Sequence, residues 1–198
     1  IYFIKKFIMP ISHNYKTVFV HIPKTGGAII EKTLKIFGVD NNGSLKPDYD
    51  ILYGVSNGKI LQHLKINEIL ELTKNKYDKY NLFSFVRNPY DKIVSEYLWR
   101  IQVYGTRKVT FKEFLNEDAI PRKNKIDKFL KNFYKNEKLI KSLDTHYDSQ
   151  IEFLKIHNNF KVKQIGKFEQ LENDFERFTN KKLLKSKIHQ SKSNYLYY

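Results

Sequence analysis

The sequence predicts an α/β fold with a central, mostly parallel sheet flanked by helices. Three observations carry that expectation. Short β-branched and aromatic runs at 16–22, 82–86 and 162–166 each precede a helical pattern. Turn residues rather than long linkers separate most of these units. The chain of 198 residues is 41% hydrophobic and 15% aromatic, enough to bury a core and too apolar for a disordered or low-complexity class.

The opening run Ile1 to Met9 is apolar but broken by Lys5 and Lys6, and residues 1–15 read as an edge strand or an N-terminal tail. Lys16 to Ile22 is short, β-branched and aromatic, ends at Pro23, and reads as a buried strand. Lys24-Thr25-Gly26-Gly27 then turns into a helix with Ile30, Leu34 and Phe37 on one face and Gly38 as its stop. Residues 39–62 hold Asn41-Asn42-Gly43, Pro47, Gly54 and Asn57-Gly58, the chemistry of a long surface connection. Ile66, Ile69, Leu70 and Leu72 suggest a short helix. Leu82 to Val86 is the second buried strand, and Asn88-Pro89 opens a helix with Tyr90, Val94, Tyr97, Leu98 and Ile101 inward. Residues 110–142 read as two helices, 162–166 as a further strand and Leu171 to Phe178 as the last helix. No repeat or boundary divides the chain, so 1–198 is expected to be a single domain.

Thirty-six Lys and Arg against 21 Asp and Glu leave a net charge of +15, which points to an anionic substrate or partner. With no cysteine, thiol catalysis, disulfide scaffolding and thiolate zinc sites are excluded. No apolar run reaches the roughly 20 residues of a membrane span. The expected location is the cytoplasm, or the Golgi lumen for a chain whose anchor precedes Ile1. Residues 121–142 and 181–192 are lysine-rich, and they read either as solvated faces or as a track for a polyanionic glycan.

In α/β sheets, ligands bind beyond the carboxyl ends of the strands. A glycine pair between strand and helix lets backbone approach a ligand, Lys24 adds a charge and Thr25 a hydroxyl. The alternative, a plain strand-to-helix turn with a solvated lysine, does not account for Arg87 at the end of the second strand. Only 5 of the 36 basic residues are Arg, and a guanidinium there suits bidentate capture of an oxyanion. Ser95, on the helix that follows, offers a further hydroxyl. The loop is not a Walker A motif, because its lysine precedes the glycines.

His21-Ile22-Pro23-Lys24-Thr25-Gly26-Gly27 resembles the phosphosulfate loop of carbohydrate sulfotransferases that use phosphoadenosine phosphosulfate (PAPS). The run from Phe85-Val86-Arg87-Asn88-Pro89-Tyr90 to Tyr97 is similar to their 3′-phosphate motif. His146-Tyr147-Asp148-Ser149-Gln150 resembles a His-aromatic-x-x-Gln segment, and Ile165 to Phe175 resembles the family's late strand and helix. The branch suggested includes heparan sulfate 2-O-sulfotransferases and small microbial relatives. Ala28 and Ile29 stand where hydroxyl residues are usual, and His189-Gln190-Ser191-Lys192-Ser193 keeps part of a C-terminal pattern.

The resemblance implies a P-loop-like three-layer fold and transfer of a sulfuryl group from PAPS, leaving PAP, to a carbohydrate hydroxyl. It assigns Lys24, Thr25, Gly26, Gly27, Arg87, Ser95, Ser191 and Lys192 to the donor, with 181–198 as a basic tail near the nucleotide. Such transfer needs positive charge at the leaving oxygen, a task for Lys24, and a base for the acceptor proton. Among six histidines, the resemblance points to His63 as that base, with His146 as base or as acceptor contact. His21 reads as structural, and Glu31, Asp91 and Glu96 are the carboxylates next in line. No histidine pair has zinc spacing, so no metal is expected to be required. A nucleotide-dependent phosphotransferase and a nucleic-acid-binding module remain as alternatives. The first lacks the Walker glycine and a metal-binding Asp, and the second lacks a recognition motif.

Overall fold

In the computed structural model, residues 6–8, 10–35, 37–39, 52, 54–56, 59–104, 110–116 and 143–184 are described. Among them, β1 (Lys6–Ile8), β2 (Ile11–Ser12) and β3 (Thr17–Val20) precede α1 (Gly27–Thr33). Then follow β4 (Phe37–Val39), β5 (Val55–Ser56), β6 (Lys59–Ile60) and α2 (Ile66–Thr73). β7 (Asn81–Val86), α3 (Pro89–Tyr104) and α4 (Phe111–Phe114) come next. β8 (Lys155–Ile156), β9 (Asn159–Phe160), β10 (Gln164–Lys167) and α5 (Leu171–Thr179) complete the described order.

The central sheet has the strand order β10-β7-β3-β2. β3 and β10 run parallel to β7, with Phe19 and Gly166 opposite Phe83 and Phe85, while β2 pairs antiparallel at the edge. Alternation along the strands feeds two cores. Val18 and Val20 face a cluster with Leu61, Leu64, Ile66, Ile69 and Phe153. Phe19, Phe83 and Phe85 face the other side, against Ile29, Ile30 and Leu34 below α1 and Leu171 and Phe175 of α5. A sheet covered on both faces needs apolar residues at successive positions, which is why these strands read as runs rather than as alternations. The carboxyl ends of β3 and β7 therefore lie side by side, and both chains leave the sheet there.

Several local expectations change. α1 does not run to Phe37; it ends at Thr33, where Lys35 takes a left-handed φ of 51°, and Gly38 is not its stop. Phe37–Val39 instead pairs antiparallel with Lys6–Ile8. The 39–62 connection holds the short hairpin β5–β6, and Leu52 within it is fully buried. Tyr90 is 69% exposed rather than inward, because the first turn of α3 lies beyond the end of β7; Val94 is the first residue of that face to be buried. Leu72 points outward as well. The two helices expected over 110–142 are represented by α4, and 117–142 lies outside the described residues.

Gly166 shows how tightly β10 is packed on β7 and α5. A Cβ there would lie 2.5 Å from the Phe85 ring and 3.0 Å from Asp174 Cβ. Gly166→Ala should cost ~1–3 kcal/mol, the range of an overpacked core. Urea unfolding measures it, and an unchanged midpoint would mean that the Phe85 ring has room to turn.

Candidate active site

The strand-to-helix loop is shaped by positive φ at Lys24 (67°) and Gly26 (86°). Thr25 is fully buried and its hydroxyl donates to the Ile22 carbonyl at 2.8 Å, so this side chain braces the loop rather than facing a ligand. The glycines answer to packing as well as to backbone access. A Cβ on Gly27 would fall 2.0 Å from His21 Nε2, and one on Gly26 3.0 Å from the Phe168 ring. The His21 ring stacks on Phe19 at 5.3 Å, its Nδ1 lies 2.8 Å from Glu31 Oε1, and the residue also borders the site cavity. Burial raises the Glu31 pKa, and the neighbouring His21 opposes that shift. Ile29 is buried with Ile30 in the core, whereas Ala28 is exposed at the cavity mouth.

Arg87 leaves β7 in the grip of an amide. Its backbone N–H donates to Gln150 Oε1 at 2.8 Å, and Gln150 Nε2 donates to the Arg87 carbonyl at 2.7 Å. The guanidinium carbon lies 4.2 Å from the centre of the Phe168 ring, and Nη1 donates to the Lys24 carbonyl at 3.4 Å. Burial lowers the Arg87 pKa while Asp91 and Glu169 raise it, and the guanidinium stays charged. Two strand ends are thereby tied together, each carrying one cation.

Lys24 Nζ sits 4.9 Å above the Trp99 ring. Burial lowers its pKa to about 8; Glu96 opposes the shift, and Arg87, Lys92 and Arg100 add to it. His63 closes the short helical turn Leu61–His63 after β6. Its Nδ1 donates to the His21 carbonyl at 3.2 Å, and its Nε2 lies 3.3 Å from the Gln62 amide nitrogen. Burial, followed by His21 and His146, pushes its pKa well below the ordinary value of 6.5. His146 meets it edge to face at 5.2 Å, with Trp99 on a neighbouring side at 5.6 Å. Glu96 Oε2 lies 2.9 Å from His146 Nδ1.

These groups enclose a cavity of about 370 Å³. Lys24, Gly26, Gly27, His63, Arg87, Ser95 and His146, all expected from the sequence, border it; Thr25 does not, and Ser191 and Lys192 lie outside the described residues. Among the described residues, its walls hold the cations Lys24 and Arg87 and no carboxylate. An anion carrying at least two separate charges is the ligand such a wall can hold. Among the described residues, no three His, Asp or Glu side chains converge as metal ligands.

The Sulfotransferase family model matches residues 9–196. The chain belongs to this family. No curated protein and no solved structure matches it. Membership makes the chain a transferase, and sulfuryl transfer is the chemistry its site has to serve. The phosphotransferase and nucleic-acid readings have no such support.

Sequence reasoning missed the roles of Trp99, Gln150 and Phe168, and it ranked Glu96 only as a reserve base. Trp99 is the single tryptophan and Glu96 precedes Arg100 by one helical turn, yet neither fact says which way the side chain faces. Gln150 stood within a quoted motif, but its clamp on Arg87 is a contact across 63 positions.

The Lys24 pKa sets an alkaline limit. The ammonium is charged below about pH 8 and neutral above it. Affinity for an anion bound beside Lys24 should therefore fall as pH rises through 8, and Lys24→Arg should move that fall upward. Calorimetry at pH values either side of 8 checks this; a flat profile would mean that Lys24 does not meet the ligand.

Proposed function

We propose that the protein transfers a sulfuryl group from PAPS to a hydroxyl of a carbohydrate acceptor. The observation that supports the donor assignment is the cavity wall, which among the described residues holds Lys24 and Arg87 with no carboxylate. The two cations come from different strand ends, as a ligand with one anionic group at each end requires. Lys24 and the backbone of Gly26 and Gly27 would hold the phosphosulfate end, and Arg87 with Ser95 the 3′-phosphate. Ser191 and Lys192 of the basic tail join them by resemblance. PAPS supplies an activated sulfuryl group when bound.

The residues then divide the work. Lys24 brings positive charge to the oxygen on which electrons collect as the leaving group departs. A histidine at the acceptor side accepts the proton that the attacking hydroxyl loses. The acceptor side is read from a second cavity, about 740 Å³, which shares the lining residue His146 with the donor cavity. Pro89, Ile93, Tyr147, Ile151 and Phe160 line it beside the polar Lys92, Asp148, Ser149 and Gln150. Mixed apolar faces and hydrogen-bonding groups are what a sugar, with its C–H faces and hydroxyls, presents for recognition. The basic residues of 121–142 and 181–192 extend the same logic to a polyanionic glycan.

Two variants separate donor binding from chemistry. Arg87→Ala should weaken PAP by ~2–4 kcal/mol, through loss of a charge-assisted contact. Adenosine 5′-phosphosulfate, which lacks the 3′-phosphate, should be affected much less; equal losses in calorimetry would make Arg87 a structural residue. Lys24→Ala should lower the turnover number ~10²–10³-fold, with a smaller loss of PAP affinity. Near-normal turnover in a sulfate-transfer assay would place the electrophilic role elsewhere.

A further inference from the structure

We propose that Glu96 is a positioning residue that fixes His146 as its Nδ1–H tautomer, so that His146 Nε2 takes the acceptor proton. This rests on the reading that the site transfers a sulfuryl group to a hydroxyl.

Glu96 is 1% exposed, and its two oxygens have different partners. Oε2 lies 2.9 Å from His146 Nδ1, and Oε1 accepts from Arg100 Nε at 2.9 Å. Burial raises a carboxyl pKa, but His146, Arg100 and Lys24 together hold Glu96 well below the ordinary carboxylate range. An ionised carboxylate only accepts, so the proton on the facing imidazole sits at Nδ1 and the lone pair at Nε2. The Lys92 ammonium donates to the His146 carbonyl and holds the backbone of the same residue. Lys92, Glu96 and Arg100 are spaced four apart on α3; the first two reach His146, and Arg100 holds the other oxygen of Glu96.

His63 is set up differently. Its Nδ1 is engaged with the His21 carbonyl and its Nε2 with the Gln62 amide, so its lone pair already accepts a proton contact. Burial and its two histidine neighbours also reduce its basicity. Among the described residues, no hydrogen bond occupies His146 Nε2. His146 borders both the donor and the acceptor cavity, whereas His63 borders only the first. A base oriented through its far nitrogen by a buried carboxylate is the arrangement that nucleophile activation requires.

The step balances without a further reactant. The acceptor oxygen bonds to sulfur as its O–H bond breaks, and that proton passes to His146 Nε2. The sulfur–oxygen bond to the leaving phosphate breaks with its electron pair on the bridging oxygen, beside Lys24. The imidazolium that forms is balanced by Glu96, and its proton returns to water after release.

The test combines ring-nitrogen chemical shifts from NMR on the ligand-free protein with kinetics. Wild type should show His146 as the Nδ1–H tautomer, and Glu96→Gln, whose amide can donate, should shift it toward Nε2–H. Glu96→Gln should lower kcat by ~10²-fold or more while KM and PAP affinity stay within about threefold. Glu96→Asp should recover at least about tenfold of that loss, and His146→Gln should cost at least about tenfold more turnover than His63→Gln. A structural role alone would move KM and PAP affinity along with kcat. The proposal is overturned by an Nε2–H wild type, by a folded Glu96→Gln that keeps kcat within about threefold, or by His63→Gln costing more than His146→Gln. If Glu96→Gln does not fold, the wild-type tautomer and Glu96→Asp decide. Failure of wild type to bind PAP would overturn the donor reading alone, and the tautomer measurement would still judge Glu96.

Discussion

The site is organised by a buried charge imbalance that one carboxylate relieves. Lys24, Arg87, Lys92 and Arg100 lie close enough for the last three to depress the first, and Glu96 is the group that opposes them. Withdrawing charges from water costs several kcal/mol per ion unless partners and hydrogen bonds compensate. α3 therefore cannot turn freely about its axis. The face that carries Lys92, Glu96 and Arg100 must point toward His146 and Lys24, and the apolar Val94 shares the interior with it. A helix oriented by its charges also fixes Arg87, which stands just ahead of it and is clamped by Gln150 from the segment that carries His146.

The same economy governs the glycine loop. Gly27 is the one residue that leaves room for the His21 imidazole beneath α1. That imidazole in turn brings Glu31 inside and offers its backbone carbonyl to His63. Removing one methyl-sized volume from the loop thus arranges three titratable side chains. Thr25 completes the brace from within, at the expense of any direct contact with ligand.

The sheet was legible because its strands are buried on both faces: Val18-Phe19-Val20 reads as a continuous apolar run and Leu82 to Val86 as one broken only by Ser84, and the parallel order follows from the helices between them. Lys24 and Arg87 stood out as candidate anion contacts because Arg87 follows the second strand directly and Lys24 lies in the loop after the first. The end of α1 was not, since Phe37 continues the helical spacing while its backbone instead pairs with β1. Tyr90 was misjudged for a related reason: spacing gives the face of a helix but not how far its first turn overhangs the sheet. His146 and Glu96 are 50 positions apart, and nothing local in either sequence segment fixes their 2.9 Å contact. The site's acids and bases were visible as residue types, and their pairing was not.

Among the described residues the cavity wall holds two cations and no carboxylate, and burial first, then the neighbouring cations, lowers the Lys24 pKa. An anion that fills the cavity would bring negative charge beside both cations and favour the charged form of Lys24. Glu96 cannot do this alone, because its two oxygens are committed to His146 and Arg100. The carboxylate that keeps α3 in place is thus committed to the His146 side of the cleft, and Lys24 is left facing the cavity. That division explains why the lysine faces Trp99 and the open cavity instead of closing an ion pair. A lysine locked to a carboxylate would keep its charge at every ordinary pH but would have little to offer a departing oxygen. One held by burial beside an aromatic face gives up its charge more readily, and an anion bound beside it would favour the charged form.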